Sequence, residues 1–583
     1  MERRVFIGNF YFKALKIHQI ISSKQKTMRK ILPLLLIAAA CGKPSPEETP
    51  SPKPNILILV ADDLGFSDIG PFGGNIHTPV LQQLSQEGML FSNFYVLPTC
   101  SPSRSALLTG NDNHVTGIGV MSEVRYAALE GLPGYTGHLN NQVVTLPEIL
   151  KESGYHTYMA GKWHLGDEDD QLPSARGFEE SFTLLQGGGS HYADQNPLSP
   201  PQVMDYRVNG VKIEMLPADF YSTRNYTDSL IHYIDKHKGD GKPFFMYASY
   251  TAPHDPLHAP QEYIEKYRGK FDSGWDSLRI DRLNNLKELG IIPQEVNSFA
   301  PSGIPAWSSL KPEQQAELAK DMEVYAAMVE YLDMSIGRIL DYLKKEGMYD
   351  NTLIVFLSDN GANGVIATTY PGNGDGVYLG GFDNSLENRG LPNSFIEMGP
   401  GWAQASSSPF RLFKSFASEG GIRAPLIVKM PNTESGKGLW NKSFYHVTDL
   451  MPTFLELAEA SYPSEFKGKA VRQPIGKSML PVLSGKAQEI HSSEEGMGWE
   501  LFERKAFIQG KWKVLRLPPP FGPGEWQLFD LESDPGETTD LSSQFPEIKE
   551  KLIQSWQDYA RKNDVFDHKG HYDSLFSRSL ESH

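Results

Sequence analysis

Asn55–Val60 (NILILV) runs almost directly into Asp62-Asp63-Leu64-Gly65, and this stretch gives the clearest indication of the fold class. A short run that is almost entirely apolar is typical of a central strand that is buried on both faces of a parallel sheet. Thr352–Leu357 (TLIVFL) is a second such run, and it leads into Ser358-Asp359-Asn360-Gly361. Ligands of open α/β sheets bind beyond the carboxyl ends of the strands, so these polar residues mark where we expect the chemistry.

Strand-like apolar runs alternate with helical patterns along most of the chain. Pro243–Tyr250 and Pro425–Val428 are further predicted strands. Glu317–Lys345 is the clearest predicted helix, because its apolar residues recur at three- and four-residue steps and Gly347 stands where a C-terminal cap belongs. The alternation predicts an α/β fold with a large, mostly parallel sheet sandwiched by helices.

The pattern changes after residue 482. Short segments follow in which apolar and polar residues alternate, namely Trp499–Phe502, Ala506–Gln509, Lys511–Leu517 and Trp526–Leu531. They predict a small antiparallel sheet, closed by a helix near Pro546–Tyr559. We therefore expect a leader and linker at 1–53, the main α/β domain at 54–482, and an antiparallel-sheet subdomain with its closing helix and tail at 483–583.

The first 53 residues have the pattern of a targeting segment. Basic Met28-Arg29-Lys30 precedes Ile31–Ala40, an apolar run too short to span a membrane as a helix. Cys41 follows small residues, as at the processing site of a bacterial lipoprotein, and the alternative is cleavage of an ordinary signal peptide. We expect an exported protein, either periplasmic or anchored to the outer membrane of a bacterium through lipidated Cys41. Translation would start at Met1 or Met28.

Composition excludes some classes of protein. The chain has 583 residues, of which 39% are hydrophobic, and this is ample for a large core. Its formal net charge is −16 with no basic tract to offset it, which argues against a nucleic-acid partner. The two cysteines, Cys41 and Cys100, allow no disulfide framework. A pocket for an anion must therefore be built locally from a few Lys, Arg and His.

Two features stand out at the predicted site. Asp62 and Asp63 at one strand end, with Asp359 and Asn360 at the other, form a set of hard oxygen ligands that suits Ca²⁺ or Mg²⁺. A single Asp at a strand end is more often a turn or a helix cap, but the joint occurrence favours a metal site. Cys100 precedes Ser101-Pro102-Ser103-Arg104 and thus a predicted first helical turn, where backbone N–H groups favour anions.

Cys100-Ser101-Pro102-Ser103-Arg104 resembles the signature of the type I sulfatases, whose Cys is converted to formylglycine by a maturation enzyme. Later motifs of that family are matched by Gly161–Gly166 (GKWHLG), Ala252-Pro253-His254, Ser358–Gly361 (SDNG), and Lys414 upstream of Glu419–Arg423 (EGGIR). The resemblance runs from about Asn55 to about residue 570. Leu107–Val124 and Asn384–Asn388 bring it closest to bacterial arylsulfatases, and it implies an alkaline-phosphatase-like fold.

The resemblance implies one Ca²⁺ and one modified residue. The ion is expected to be held by Asp62, Asp63, Asp359 and Asn360, together with an oxygen of the formylglycine made from Cys100. The metal would polarise the sulfate group of the substrate. The hydrated aldehyde at position 100 would attack sulfur, and its second hydroxyl would give the enzyme an internal way to expel sulfate.

The resemblance also gives roles to five cationic or ionisable residues. Arg104 would orient the modified residue, and Lys162 and Lys414 would neutralise the sulfate oxygens. His254 would protonate the leaving oxygen, and His164 would remove the proton whose loss expels sulfate. Taken alone, each Lys is more often a surface charge and each His a structural residue. The number of matches in the right order favours the catalytic roles.

The sequence predicts a sulfuric ester hydrolase of the arylsulfatase type, acting on an aryl or carbohydrate sulfate ester. A phosphonate monoester or phosphodiester hydrolase with the same formylglycine site is the alternative. A two-zinc phosphatase is disfavoured, because it needs a Ser or Thr nucleophile and more His ligands. An inactive lipoprotein that binds sulfated glycans is disfavoured because every expected site residue is present.

His191, in a Gly-rich segment, is a weaker candidate for the substrate pocket.

Overall fold

Strand β1 (Asn55–Ala61) lies inside the main sheet of the computed structural model, which describes residues 53–300 and 303–572. All seven residues of β1 are buried, as expected for a strand that is covered on both faces. Cys41 and the predicted leader lie outside the described residues, so the lipoprotein interpretation stays a prediction.

Ten further strands complete the main sheet. They are β2 (Met89–Tyr95), β3 (His156–Lys162), β4 (Glu180–Leu184), β5 (Tyr206–Val208), β6 (Val211–Ile213), β7 (Phe244–Ser249), β8 (Thr352–Ser358), β9 (Arg423–Lys429), β10 (Trp440–Asn441) and β11 (Tyr445–His446). The spatial order is β10-β2-β9-β8-β1-β7-β3-β4-β5-β6, with β11 beside β2.

The centre of this sheet is parallel. Strands β8, β1, β7, β3 and β4 run in one direction, whereas β9 runs antiparallel to both β8 and β2. The predicted large, mostly parallel sheet is therefore confirmed. The antiparallel β9 is the predicted strand at Pro425–Val428, and its direction was not evident from the apolar run alone.

Helices cover the sheet. They are α1 (Pro79–Glu87), α2 (Cys100–Thr109), α3 (Asn113–Thr116), α4 (Leu146–Glu152), α5 (Ser222–His237), α6 (Gln261–Ile264), α7 (Gly274–Glu288), α8 (Pro312–Lys345), α9 (Gly399–Ser406), α10 (Glu419–Ile422), α11 (Leu450–Leu457) and α12 (Leu480–Leu483). Helices α1, α5, α6 and α8 pack into one group, and α2, α4 and α11 form another. Helices α4 and α5 both contact β3, which is the predicted sandwich.

The long predicted helix is α8, and it begins five residues earlier than the apolar pattern indicates. Pro312 is its first residue, a position where the missing N–H group of proline costs nothing. Its first turn is polar, so the apolar periodicity did not include it. Gly347 adopts a φ of 70° just past the end of the helix, as predicted for a C-terminal cap.

The C-terminal part contains the predicted antiparallel sheet. Its strands are β14 (Gly496–Leu501), β15 (Arg504–Gln509), β16 (Trp512–Arg516) and β17 (Trp526–Asp530), after a small hairpin of β12 (Glu465–Phe466) and β13 (Lys469–Ala470). Helix α13 (Pro546–Lys562) packs on this sheet. The described residues belong to one compact unit, so the boundary at 482/483 stays a prediction.

Buried ion pairs join the C-terminal sheet to the main sheet. Lys513 on β16 lies 2.8 Å from a carboxylate oxygen of Glu419 and 2.8 Å from one of Glu537, with all three side chains buried. Glu419 also accepts a hydrogen bond from Tyr95 of β2. Such charges stabilise only as a complete set, because removing one partner leaves another charge buried and unpaired.

None of the helices in the described ranges is long and apolar enough to cross a membrane.

A second buried junction is centred on His114 of α3. Its ring contacts Asp112 at 2.8 Å and Glu500 of β14 at 3.1 Å, and Tyr559 of α13 donates to the other oxygen of Asp112. Burial lowers the pKa of His114, but the two carboxylates outweigh burial and raise this pKa to about 9. His114 therefore carries a positive charge in the folded chain at neutral pH.

We predict that His114 makes the stability of the chain pH-dependent. Because its pKa is raised from 6.5 to about 9 on folding, its contribution is complete below pH 6.5 and is lost as the pH rises through about 9. The stability advantage of the wild type over His114→Gln should shrink by on the order of 3 kcal/mol across this range. Thermal unfolding of both proteins at several pH values tests this, and a constant difference between them would contradict it.

Candidate active site

The carboxyl ends of β1 and β8 bring together the predicted metal ligands. Ala61 and Ser358 are partners in the register of these parallel strands, so the residues that follow them are neighbours. The backbone N–H of Asp63 donates to Asp359 at 3.2 Å, and the side chain of Asn360 donates to Asp63 at 2.6 Å. All of these side chains are buried.

Cys100 is the first residue of α2 and points its sulfur at this group. The Sγ atom lies 3.7 Å from Oδ1 of Asp63, and only 1% of the residue is exposed. Burial, with Asp62 nearby, raises the pKa of the Cys100 thiol above its ordinary value. The thiol is therefore held in its protonated form, which is a poor nucleophile.

Arg104 lies one turn further along α2 and joins the two strand ends. Its guanidinium makes two contacts with Asp359, at 2.8 and 2.7 Å, and lies 3.5 Å from Asp62. It also donates to Ser249 at the end of β7 and to the carbonyl oxygen of Lys162. Burial raises the pKa of Asp359 to about 6, and Arg104 opposes part of this shift. One arginine thus crosslinks four neighbouring segments.

Lys162 is the last residue of β3, and its Nζ lies 2.8 Å from Oδ2 of Asp62. Its side chain is completely buried. Although burial raises the pKa of Asp62, the charges of Lys162 and Arg104 hold it well below its usual range. Gly161 permits this approach of β3, because a Cβ atom there would lie 1.8 Å from the carbonyl oxygen of Ser249.

His254 and Lys414 approach Asp63 from its other side. Lys414 Nζ lies 2.7 Å from Oδ2 of Asp63 and 3.1 Å from Nε2 of His254. The Nδ1 atom of His254 is held by the carbonyl oxygen and the carboxylate of Asp255, at 2.6 and 3.0 Å. Burial and Lys414 lower the pKa of His254, but Asp63 and Asp255 outweigh them and raise this pKa to about 10.

His164 lies apart from this ionic group. It follows β3 with a φ of 57°, and its Nε2 lies 3.1 and 3.2 Å from the two oxygens of Glu123. The other ring nitrogen, Nδ1, is buried and has no hydrogen-bond partner among the described residues. The sequence pattern did not reveal Glu123, which lies in a short 3-10 turn at Ser122–Val124.

Two cavities meet at the site. The inner one, of about 60 Å³, is lined by Cys100, His164, His254 and Lys414. Apolar and aromatic side chains form the rest of its wall, namely Met121, Val124, Leu198, Val365 and Tyr370. The outer cavity, of about 870 Å³, shares Glu123 and His164 with the inner one and is lined mainly by polar and charged residues.

The structure therefore brings all of the predicted site residues to one place, nine of them around the ionic group and His164 on the cavity wall. His191 is different. It does not line either cavity: its ring contacts Ser222 and the carbonyl oxygen of His254, at 2.6 and 3.0 Å. It supports the loop that carries His254. Sequence analysis missed Asp255, which neighbours a motif residue, and Tyr370, whose hydroxyl donates to Asp255.

The family model described as "Sulfatase" matches residues 54–460, and one for the C-terminal part of N-sulphoglucosamine sulphohydrolase matches residues 410–562. The chain belongs to the sulfatase family. An uncharacterised sulfatase of Schizosaccharomyces pombe is 44% identical to it over 533 residues, covering 89% of this chain and 95% of the relative. The arylsulfatase of Klebsiella aerogenes is 38% identical over 438 residues, covering 74% and 93%.

Solved structures agree with this assignment. The crystal structure of Ps i-CgsB is 25% identical to this sulfatase, with a TM-score of 0.63, and the match covers 90% of this chain and 97% of the other. The predicted alkaline-phosphatase-like α/β fold is confirmed. The chain is accordingly a sulfuric ester hydrolase, as its sequence predicts.

The residues of this sulfatase fit a hard divalent cation. Oδ1 of Asp62 and Oδ1 of Asn360 are buried oxygens without a hydrogen-bond partner in the described part of the chain. Buried polar atoms rarely remain unsatisfied, and two such oxygens beside Asp63 and Asp359 form the kind of ligand set that Ca²⁺ prefers. Asp62, Asp63, Cys100 and His254 also present ligand atoms within 4.8 Å of one another.

We predict that Ca²⁺ raises the melting temperature of the sulfatase and that a chelator reverses the effect. Saturation at 100 times the dissociation constant would stabilise the chain by about 2.7 kcal/mol. Asn360→Ala removes one of the two orphan oxygens and should weaken Ca²⁺ binding by about tenfold or more, equivalent to ~1.4 kcal/mol. Asn297→Ala, at an exposed position, is the matched control. Equal Ca²⁺ titrations for both variants would contradict this placement of the ion.

Proposed function

We propose that this sulfatase is of the arylsulfatase type and depends on a formylglycine made from Cys100 and on one bound Ca²⁺. The observation that carries the proposal is the position of Cys100. It lies in the first turn of a helix, beside Asp63, and lines a cavity together with Lys414 and His254. Backbone N–H groups of that turn and the surrounding cations favour an anionic group.

A thiol is the wrong reactive group for this position. In the described part of the chain, the carboxylate of Asp63 is the hydrogen-bond partner of Sγ, and His254, within 4.8 Å, does not hydrogen-bond to the sulfur as a base would. A negatively charged neighbour opposes formation of a thiolate. Formylglycine, in its hydrated form, would instead supply an oxygen nucleophile and does not require a thiolate.

Conversion must precede folding. Cys100 is 1% exposed and belongs to a helix whose ten residues are all buried, so an enzyme that modifies it needs the segment in an open form. A formylglycine-generating maturation enzyme is therefore a required partner in this proposal. Chains that fold first would bind Ca²⁺ and turn over little substrate.

The cation would be held by the oxygens of Asp62, Asp63, Asp359 and Asn360, with an oxygen of the modified residue 100. When bound, it supplies Lewis-acid polarisation of the sulfate group. Arg104 holds two of these carboxylates in place, and its position one turn after residue 100 lets it orient the modified side chain. The protein thus fixes the ligands before substrate arrives, and such preorganisation lowers the barrier.

Lys162, Lys414 and His254 act on the substrate. Both lysines are buried among carboxylates and remain charged, so they can neutralise the sulfate oxygens during transfer. His254 has its Nδ1 held by Asp255, which leaves Nε2, beside Lys414, to give a proton to the leaving oxygen. His164, on the cavity wall, takes the proton whose loss releases sulfate.

The size and lining of the two cavities support an orientation for the substrate, with its sulfate group in the inner cavity. The inner cavity, of about 60 Å³, is the smaller of the two, and we infer that it receives the sulfate group and the atoms next to it. Its apolar wall, with Leu198, Val365 and Tyr370, suits the ring next to the ester oxygen. The outer cavity is large and polar, with Arg125, Lys212 and several carboxylates on its wall. We therefore propose aryl sulfates and carbohydrate sulfate esters as substrates.

We predict that the matured enzyme hydrolyses an aryl sulfate with a kcat/KM at least about 100-fold above that for the matching aryl phosphonate monoester. Lys414→Ala should lower kcat for the aryl sulfate by about 10²- to 10³-fold, because it removes a buried charge from the sulfate site. Lys437→Ala, at an exposed position, is the matched control. Steady-state kinetics on both substrates measures the ratio of their kcat/KM values. A higher kcat/KM for the phosphonate would instead identify a phosphonate monoester hydrolase.

We further propose that the protein is exported and anchored through lipidated Cys41. The support is the basic, apolar and small-residue order before Cys41, which lies outside the described residues. The mature N-terminus tests this: a blocked, lipid-bearing Cys41 is expected, whereas a free N-terminus at another residue would contradict lipidation.

A further inference from the structure

One carboxylate at the active site has no place in the mechanism described above. Glu123 contributes to the walls of both cavities, contacts His164, and accepts a hydrogen bond from Ser122 of its own turn. Its side chain is 22% exposed, whereas that of His164 is 6% exposed. Both carboxylate oxygens lie within 3.2 Å of Nε2. Glu123 and His164 therefore form a specific contact, and Glu123 is not simply a solvated surface carboxylate.

The contact with Glu123 determines which ring nitrogen of His164 carries a hydrogen. An ionised carboxylate can only accept hydrogen bonds, so the nitrogen that faces it, Nε2, carries a hydrogen. Burial raises the pKa of Glu123, but the positive charge of protonated His164 and the hydrogen bonds to the carboxylate outweigh burial and lower this pKa to about 2, so the carboxylate is ionised and stays so when His164 gives up its second proton. A neutral imidazole has one N–H, and its lone pair is then on Nδ1.

The other ring nitrogen is in the state that a base requires. Nδ1 of His164 is buried and accepts no hydrogen bond from any described residue. His164 and Cys100 line the same inner cavity. The Nδ1 lone pair has no partner in the described part of the chain, and His164 lines the cavity that holds residue 100, so Nδ1 is the ring nitrogen available to accept a proton from a group formed there.

Gly187 leaves the room that the ring needs in this orientation. Gly187 lies against the pair, and a Cβ atom at this position would come within 2.7 Å of Cε1 and 3.0 Å of Nε2 of His164. The same Cβ would lie 3.3 Å from the carboxylate of Glu123. A larger residue at 187 would have to displace the imidazole, so the contact with Glu123 depends on glycine here.

We propose that Glu123 is a positioning residue: it fixes His164 as the Nε2–H tautomer, so that Nδ1 presents its lone pair to residue 100. The inference rests on the proposed function, in which His164 removes the proton that releases sulfate. Glu123 touches neither the reacting atoms nor the metal ligands. It acts only through the ring that it orients, as outer-shell partners of catalytic histidines do.

The kinetic test compares three variants of the matured enzyme. Glu123→Ala removes the acceptor and should lower kcat by about 100-fold with little change in KM. Glu123→Gln keeps an acceptor oxygen for Nε2–H and should stay within about tenfold of the wild type. Glu130→Ala, an exposed carboxylate in the neighbouring turn, is the matched control and should match the wild type. Equal losses for the Ala and Gln variants, or none for either, would overturn the proposal.

The order of product release separates positioning from a general structural effect. Because His164 acts after the alcohol has left, Glu123→Ala should show a first-turnover burst of aryl alcohol, followed by slow release of sulfate. A variant that merely damages the site would slow both products together, and that result would contradict the proposal.

A readout independent of turnover uses the chain with unmodified Cys100, labelled with nitrogen-15 in histidine. The signals of His164 are identified by their loss in His164→Gln. In the wild type they should show a protonated Nε2 and an unprotonated Nδ1, and in Glu123→Ala this single-tautomer pattern should be lost. A protonated Nδ1 in the wild type would overturn the proposal. Failure of the proposed function would appear separately, as wild-type enzyme that does not hydrolyse aryl sulfate.

Discussion

Three carboxylates are buried together at one edge of the main sheet, and the need to balance their charges is a constraint on every segment packed around them. Asp62, Asp63 and Asp359 lie within hydrogen-bonding reach of shared partners, and each is at most 2% exposed. Like charges in such a place are costly unless they are paired. Arg104 and Lys162 supply the compensation, and a divalent cation would supply more. The positive pocket for an anion thus arises from the need to balance these acids.

The same constraint explains why distant parts of the chain meet here. Arg104 must reach from α2 to Asp359, and Lys414 must come from the loop before α10 to reach Asp63. The C-terminal sheet supports that loop, since Arg504 donates to the carbonyl oxygen of Ser415. The antiparallel subdomain is therefore part of the active site's scaffold even though it contributes none of the predicted site residues.

Sequence reasoning predicted the elements that have a strong pattern. The buried runs gave β1 and β8, the apolar periodicity gave α8, and motif matches gave the residues of the ionic group. It did not predict short edge strands such as β10 and β11, whose pairing depends on tertiary contacts that no local pattern encodes. Glu123 was missed for a similar reason. It has no motif spacing to His164, and only the fold brings the two side chains together.

We propose that Cys100 is the precursor of the nucleophile and that its oxidation replaces the thiol with an aldehyde. Its burial, its carboxylate neighbour and the lack of a hydrogen bond from a histidine in the described residues all oppose a thiolate nucleophile. This is tested by mass spectrometry of the proteolytic peptide that contains residue 100, taken from a preparation with sulfatase activity. We expect the mass of the aldehyde, in an amount proportional to the specific activity. An unmodified thiol throughout a fully active preparation would contradict it.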